Sequence, residues 1–156
     1  MDELTYVLAT AADARIVTDL RIAFADELVG KAPEEQGKKL RESLENYFSA
    51  ELNKNYICWL AKAGEEVIAA GGLVIRTGPG NIKNLSGITG YLMNIYTAPE
   101  HRRKGISGNI VNRLTETAKE RGITAFELHA TKAGEPLYVK NGFVLFPEPT
   151  YRKIIS

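Results

Sequence analysis

Cysteine is nearly absent from this chain: Cys58 is its only one among 156 residues, so a disulfide framework is excluded. Two histidines and one thiol do not fall at metal-ligand spacing with the acids, and no metal is expected. No Ser/His/Asp arrangement is suggested either. No apolar run approaches the ~18 residues of a membrane span. The first ten residues, MDELTYVLAT, lack both the basic start and the apolar centre of a secretory leader. The expectation is a cytoplasmic protein with no membrane partner. Charge of one sign is also missing. Twenty Lys and Arg face nineteen Asp and Glu, a net charge of +1, so the whole chain announces no nucleic-acid partner. Two phosphate fingerprints are absent as well, G-x-G-x-x-G and G-x-x-x-x-G-K-[ST], which removes the dinucleotide fold and the P-loop ATPase.

What is present suits one globular domain over residues 1–156, with 44% hydrophobic and 25% charged residues. Residues 3–9 alternate as a strand. Thr10 and Asp13 read as a capping box ahead of a helical stripe, Ile16, Leu20, Phe24 and Leu28, that ends near Gly30. After the polar break 31–37, Leu40, Leu44, Tyr47, Phe48 and Leu52 predict a second helix. The segments 55–62 and 66–76 flank Ala63-Gly64-Glu65 as a hairpin, and Gly71-Gly72 suggests a bulge or a close backbone approach. Residues 77–87 carry turn signals only and predict a mobile loop. A strand over 88–97 is followed by a basic turn and a helix from Gly105 to Gly122. A strand over 123–130, a short helix near 134–141 and a last hairpin, 143–146 with 151–155, complete the order β-α-α-β-β-β-α-β-α-β-β.

Most of the chemistry sits in residues 93–109, MNIYTAPEHRRKGISGN. The β-prone run Ile95-Tyr96-Thr97 stops at Pro99, and His101-Arg102-Arg103-Lys104 follows. From Gly105 the apolar residues Ile106, Ile110, Val111, Leu114 and Ala118 recur on one helical face. A helix start has unpaired N–H groups, and beside three cations it is an anion site. Gly105 and Gly108 would let a phosphate approach that backbone. An ordinary strand–helix junction with a solvated basic turn has the same outline.

Arg102-Arg103-Lys104-Gly105-Ile106-Ser107 resembles the Arg/Gln-x-x-Gly-x-Gly/Ala loop of the GNAT superfamily of N-acetyltransferases. The run Ile95 to Glu100 matches the strand and Pro-Glu turn that precede that loop. Pro136 to Phe143, PLYVKNGF, is similar to the family's Leu-Tyr-x-x-x-Gly-Phe motif. The resemblance is strong over 88–145; the first half shares only the element order. It implies an α+β domain: a mixed, mostly antiparallel sheet of six to seven strands, helices on both faces, and splayed central strands. It also implies acetyl-CoA as co-substrate. The backbone from 103 to 108, with Arg102, Arg103, Lys104, Gly105, Ile106, Ser107 and Gly108, would hold the pyrophosphate. The edge of Ile95, Tyr96 and Thr97 would pair with the amide-rich pantetheine arm. Ser107 departs from the usual Gly or Ala, and Thr131 stands where many members place an asparagine that contacts coenzyme A.

The implied reaction is direct attack of an amine on a thioester. A strand N–H would stabilise the developing oxyanion, a donor worth ~3 kcal/mol in comparable sites. Tyr138 matches the family's usual general acid. A tyrosine (~10) is a weaker acid than a thiol (~8.5), so full proton transfer is uphill by about 2 kcal/mol and a hydrogen bond is the better description. A lysine-like amine costs about 4.6 kcal/mol to deprotonate at pH 7. Some family members keep a glutamate on the central strand for this; Tyr91 to Tyr96 contains no carboxylate. Glu127 and His129, two apart on the next strand, or a water chain, remain as bases. Asp26 and Glu27 could attract a cationic acceptor, or simply be surface charges. The expected partners are acetyl-CoA and an amine of a small molecule or peptide, with a homodimer as a possible assembly. Two other readings stand beside the enzyme: a catalytically silent acyl-CoA-binding regulatory domain, and a nucleic-acid binder using 101–104.

Overall fold

Residues 3–156 are described by the computed structural model. The first alternating run forms β1 (Leu4–Leu8). The Thr10 N–H then donates to Asp13 Oδ2 at 2.9 Å, the carboxylate half of the capping box, and a 3₁₀ turn leads into α1 (Ala14–Val29). The second helix, α2 (Glu34–Glu51), starts behind Pro33 with Glu34 and Glu35 in its first turn, the sign that complements a helix N-terminus. The hairpin β2 (Tyr56–Ala63) and β3 (Glu66–Thr77) turns at Gly64, whose φ is +62°. Next come β4 (Ile88–Thr97), α3 (Ile106–Glu120), β5 (Phe126–Leu128) and α4 (Glu135–Lys140).

The sheet has the order β1-β2-β3-β4-β5, with three antiparallel pairs and a parallel β4–β5 pair. It is thus an α+β fold with a mixed sheet of five strands among the described residues, not six to seven. The missing strands are those of the expected C-terminal hairpin. Pro147 and Pro149 each remove a ladder donor from 143–156, and the apolar side chains there stand in solvent: Val144, Leu145, Phe146, Tyr151, Ile154 and Ile155 are all largely exposed. The β5 strand is also shorter than the run 123–130 suggests.

Apolar side chains pack on both sheet faces. On one, Ile106, Ile110, Val111, Leu114 and Ala118 of α3 cover Ile57, Leu73 and Leu92. On the other, Ala14, Val17, Leu44 and Phe48 of α1 and α2 cover Tyr56, Cys58 and Leu60. Each such side chain stabilises the fold by roughly 1.5–3 kcal/mol relative to exposure. The expected stripes are only partly buried. Leu28, in the last turn of α1, is 53% exposed and Leu40 of α2 is 44% exposed. Residues 77–87 form a tied turn instead of a loose loop. Gly78 N–H bonds to Gly87 O, and the Asn84 side chain bonds to Ile88 O and Thr89 Oγ1.

One irregularity sets the site. The β3–β4 register slips between Ala70 and Gly72, so Asn94 and Ile95 together oppose Gly71, and Asn94 takes a φ of +55°. This is a β-bulge, which turns the end of β4. Asn94 is fixed there by its side chain: Oδ1 accepts from Arg21 at 2.6 Å and Nδ2 donates to the Tyr56 hydroxyl at 3.1 Å. Both glycines opposite have close neighbours. A Cβ at Gly71 would lie 2.8 Å from Ile95 Cδ1, and one at Gly72 would overlap the Tyr56 hydroxyl. Gly72→Ala must therefore displace a ring that is only 2% exposed and break its bond to Asn94. Overpacking of this kind costs about 1–3 kcal/mol. Thermal unfolding should show the midpoint falling by about 3–10 °C. A midpoint within about 1 °C of wild type would mean that the ring is not locked.

Candidate active site

The β4–β5 ladder is short. It pairs Gly90 with Phe126, Tyr91 with Glu127 and Leu92 with Leu128, and then stops, while β4 continues to Thr97. Beyond Leu92 the two strands diverge, and a cleft of about 340 Å³ opens between them. Its walls are Leu92 to Thr97 on one side and Leu128, His129 and Thr131 on the other, with Leu137 and Tyr138 of α4 as a third wall. On the β5 side the backbone of residues 93–97 has no strand partner among the described residues, which leaves backbone polar groups such as those of Ile95 and Tyr96 free of the ladder, while Thr97 O is taken by Arg102.

At one end of this cleft α3 begins. Arg103 (φ +65°) and Gly105 (φ +75°) are both left-handed, and this alternation with their neighbours aims successive N–H groups toward one concavity. The first helical bond runs from Asn109 N–H to Gly105 O, so the N–H groups of Ile106, Ser107 and Gly108 start the helix without acceptors in it. The backbone at Gly105 is open, since a Cβ there would meet no atom within 4 Å, whereas at Gly108 a Cβ would lie 3.3 Å from Leu137 Cδ1. The loop offers donors, positive charge and room, the three properties that a pyrophosphate requires.

The cations of the loop are not equivalent. Arg103 and Lys104 are exposed. Arg102 is occupied: its Nε donates to Thr97 O at 2.8 Å and its Nη2 to the Glu27 carboxylate at 2.8 Å. It ties the end of α1 to the end of β4. Glu27 is thereby neutralised and does not stand free to attract a cation, and Asp26 does not line the cleft. Ser107 has a use that its small size does not announce: its hydroxyl lies 2.8 Å from Thr97 Oγ1 and joins α3 to the strand end.

Tyr138 lines the cleft, is partly buried, and has its ring edge against Phe143 at 6.1 Å. Burial pushes its phenol above the ordinary tyrosine range. It is therefore a donor that keeps its proton. Gly134 makes room for the ring, since a Cβ there would lie 3.1 Å from Tyr138 Cε2. The two expected bases part company. His129 falls one residue beyond β5, is exposed, lines the cleft and lies tilted against Tyr91 with ring centroids 5.7 Å apart, whereas Glu127, also exposed, does not line the cleft. Thr131 is in the cleft wall, but its hydroxyl accepts from the Gly134 N–H at 3.2 Å. Cys58 is enclosed in the core, and burial pushes its thiol up to about 12, so it is inert. Among the described residues no group of acids, histidines and cysteine could hold a metal, and no helix is long and apolar enough to cross a membrane.

The sequence pattern alone did not reveal Asn94, Arg21 or Tyr56 as parts of the site. Gly71-Gly72 signals the bulge on β3, but nothing local points to Asn94 on β4, and neither Arg21 nor Tyr56 stands near it in sequence.

Comparison with known proteins places this arrangement. The acetyltransferase (GNAT) family model matches residues 21–143. A predicted acetyltransferase from Clostridium acetobutylicum, solved with acetyl-CoA, is 29% identical with a TM-score of 0.81, over 97% of this chain and 96% of that one. A GCN5-related N-acetyltransferase from Ralstonia eutropha JMP134 is 25% identical with a TM-score of 0.84, over 97% and 99%. Glucosamine-6-phosphate N-acetyltransferase from Arabidopsis thaliana shares the fold at 13% identity, with a TM-score of 0.67 over 99% of this chain and 100% of that one. No curated protein sequence matches the chain significantly.

Proposed function

Because the chain belongs to the GNAT acetyltransferase family, and so is an acetyl-CoA-dependent acyltransferase, we propose that it moves the acetyl group to a primary amine by direct attack, in the cleft between β4 and β5. One observation carries this reading. A donor-rich, unobstructed helix start and a protonated tyrosine stand at the same strand divergence.

When bound, acetyl-CoA supplies an acetyl thioester; the rest is the work of the chain. The N–H groups of 103–108, with Arg103 and Lys104, are suited to the pyrophosphate. Arg102 acts from behind, by holding β4 and α1 together. The unpaired edge of Ile95, Tyr96 and Thr97 is suited to an amide-bearing arm, and its N–H groups to a developing oxyanion. Tyr138 holds a proton at its Oη for the departing sulfur. Since its phenol is raised, it acts as a hydrogen-bond donor instead of giving the proton up completely. His129 is the side chain of the cleft wall suited to taking the amine's proton, with water as the alternative carrier.

The direct test is release of coenzyme A thiol from acetyl-CoA in the presence of a library of amines. Turnover with at least one amine is expected. Stabilisation by acetyl-CoA without thiol release from any amine would instead support a silent acyl-CoA-binding domain.

Assembly belongs to the same reading. The exposed apolar side chains of 144–155 and the outer edge of the three-residue β5 are surfaces that a second copy would cover by adding a strand. Light scattering should give the mass of a dimer, and deletion of residues 144–156 should return the monomer. A monomer mass for the full chain would remove the homodimer.

A further inference from the structure

A second cavity, of about 280 Å³, lies on the α1–α2 face of the sheet and meets the first at Met93 and Asn94. Its polar lining includes two arginines, Arg21 and Arg76, and two tyrosines, Tyr47 and Tyr56, but no carboxylate. Of the acids nearby, Asp19 and Glu45 both pair with Arg41, while Glu51 lies outside the lining, accepts from the Asn55 side chain and makes its charge felt only at Tyr47 on the rim. In the adjoining cleft the only carboxylate is Glu27, which Arg102 holds.

Both guanidinium groups keep donors to spare. Arg21 gives Nη1 to Asn94 and has no acidic partner among the described residues. Arg76 sits over the Tyr91 ring, its Cζ 3.9 Å from the centroid. Such stacking occupies the face of the guanidinium and leaves its planar fork, the edge that grips a carboxylate, open. Two arginines without counter-ions on one cavity wall form a site for an anion, and that wall reaches the bulge where β4 enters the catalytic cleft.

We propose that the acceptor is an amine that also carries an acid group. Its carboxylate would rest on Arg21 and Arg76, and its amine would pass Asn94 toward the cleft of Tyr138. The inference rests on the transferase reading. In the reaction the amine nitrogen forms a bond to the acetyl carbon as the carbon–sulfur bond breaks. The nitrogen loses one proton to His129 or water, the sulfur gains one, and the products are an N-acetylated acid and free coenzyme A.

Matched amines test it, with the full chain, acetyl-CoA and free thiol as the readout: γ-aminobutyrate against butylamine, and lysine against cadaverine. The acid of each pair should be preferred in kcat/KM by about tenfold or more, the yield of a charge-assisted hydrogen bond. Arg76→Gln should raise KM for the acid about tenfold, with kcat within about twofold and the acid-free amine unaffected. Arg21→Gln also removes the bond that fixes Asn94, so it should slow both amines of a pair but raise KM for the acid about tenfold more than for its acid-free counterpart. Equal or better turnover of butylamine and cadaverine would overturn the acid-bearing acceptor and leave the transferase standing. Absence of thiol release with every amine, in a chain that acetyl-CoA still stabilises, would overturn the transferase reading and this inference with it.

Discussion

Replacing Tyr138 by Phe is expected to lower kcat by roughly 10²-fold, the usual yield of one positioned proton donor. The ring and its packing on Phe143 are retained, so the fold should be unaffected. KM for acetyl-CoA should change little, because the lost hydrogen bond matters mainly when negative charge has gathered on sulfur. The loss should shrink with an acyl thioester whose thiol is more acidic, since that sulfur needs less help to leave. The pH dependence gives a second reading. A phenol raised by burial is protonated below its pKa, so the donor is present throughout neutral and mildly alkaline solution and is lost only above the ordinary tyrosine range. The wild-type rate should thus climb with pH as the amine loses its proton, and should not turn down through Tyr138 below that limit. Wild-type kcat in a folded Phe variant would reduce Tyr138 to packing and leave water to protonate the thiolate.

Much of this was legible in the sequence, for particular reasons. Helix α3 declares itself because its five apolar residues recur with one period and all of them are buried. The hairpin of β2 and β3 is fixed by Gly64, and the two glycines of β3 mark both a bulge and a tight approach, as their position suggested. Other features depend on distant partners and leave no local mark. That Arg102 would bind Glu27, 75 residues away, cannot be read from a basic run. Nor can the use of Ser107, whose hydroxyl meets Thr97 only once α3 and β4 are folded together. The C-terminal segment misled for a related reason. Its β-branched and aromatic residues have strand propensity, but propensity without a neighbouring edge makes no ladder. The second cavity was the least visible part, because its arginines come from α1 and β3, far apart in sequence.

The cofactor loop offers the second large effect. Acetyl-CoA at about 100 times its Kd should add about 2.7 kcal/mol to the stability of the wild-type chain. For a chain of this size that is a rise in melting temperature of roughly 5–10 °C. In Gly105→Val this rise should vanish. The backbone at Gly105 is open, and if a phosphate sits against the start of α3 a branched side chain there would crowd it. The same substitution also strains the backbone, because a φ of +75° is costly for a β-branched residue by about 1–3 kcal/mol. A lower melting point of the free variant is therefore expected and is not the measurement that decides. The deciding quantity is the increment on adding acetyl-CoA. Gly105→Asn separates the two causes, since asparagine tolerates the left-handed conformation but still places a side chain in the gap. It should keep a melting point close to wild type and still lose most of the increment. If either variant folds and retains the full increment, the pyrophosphate is not held against the start of α3.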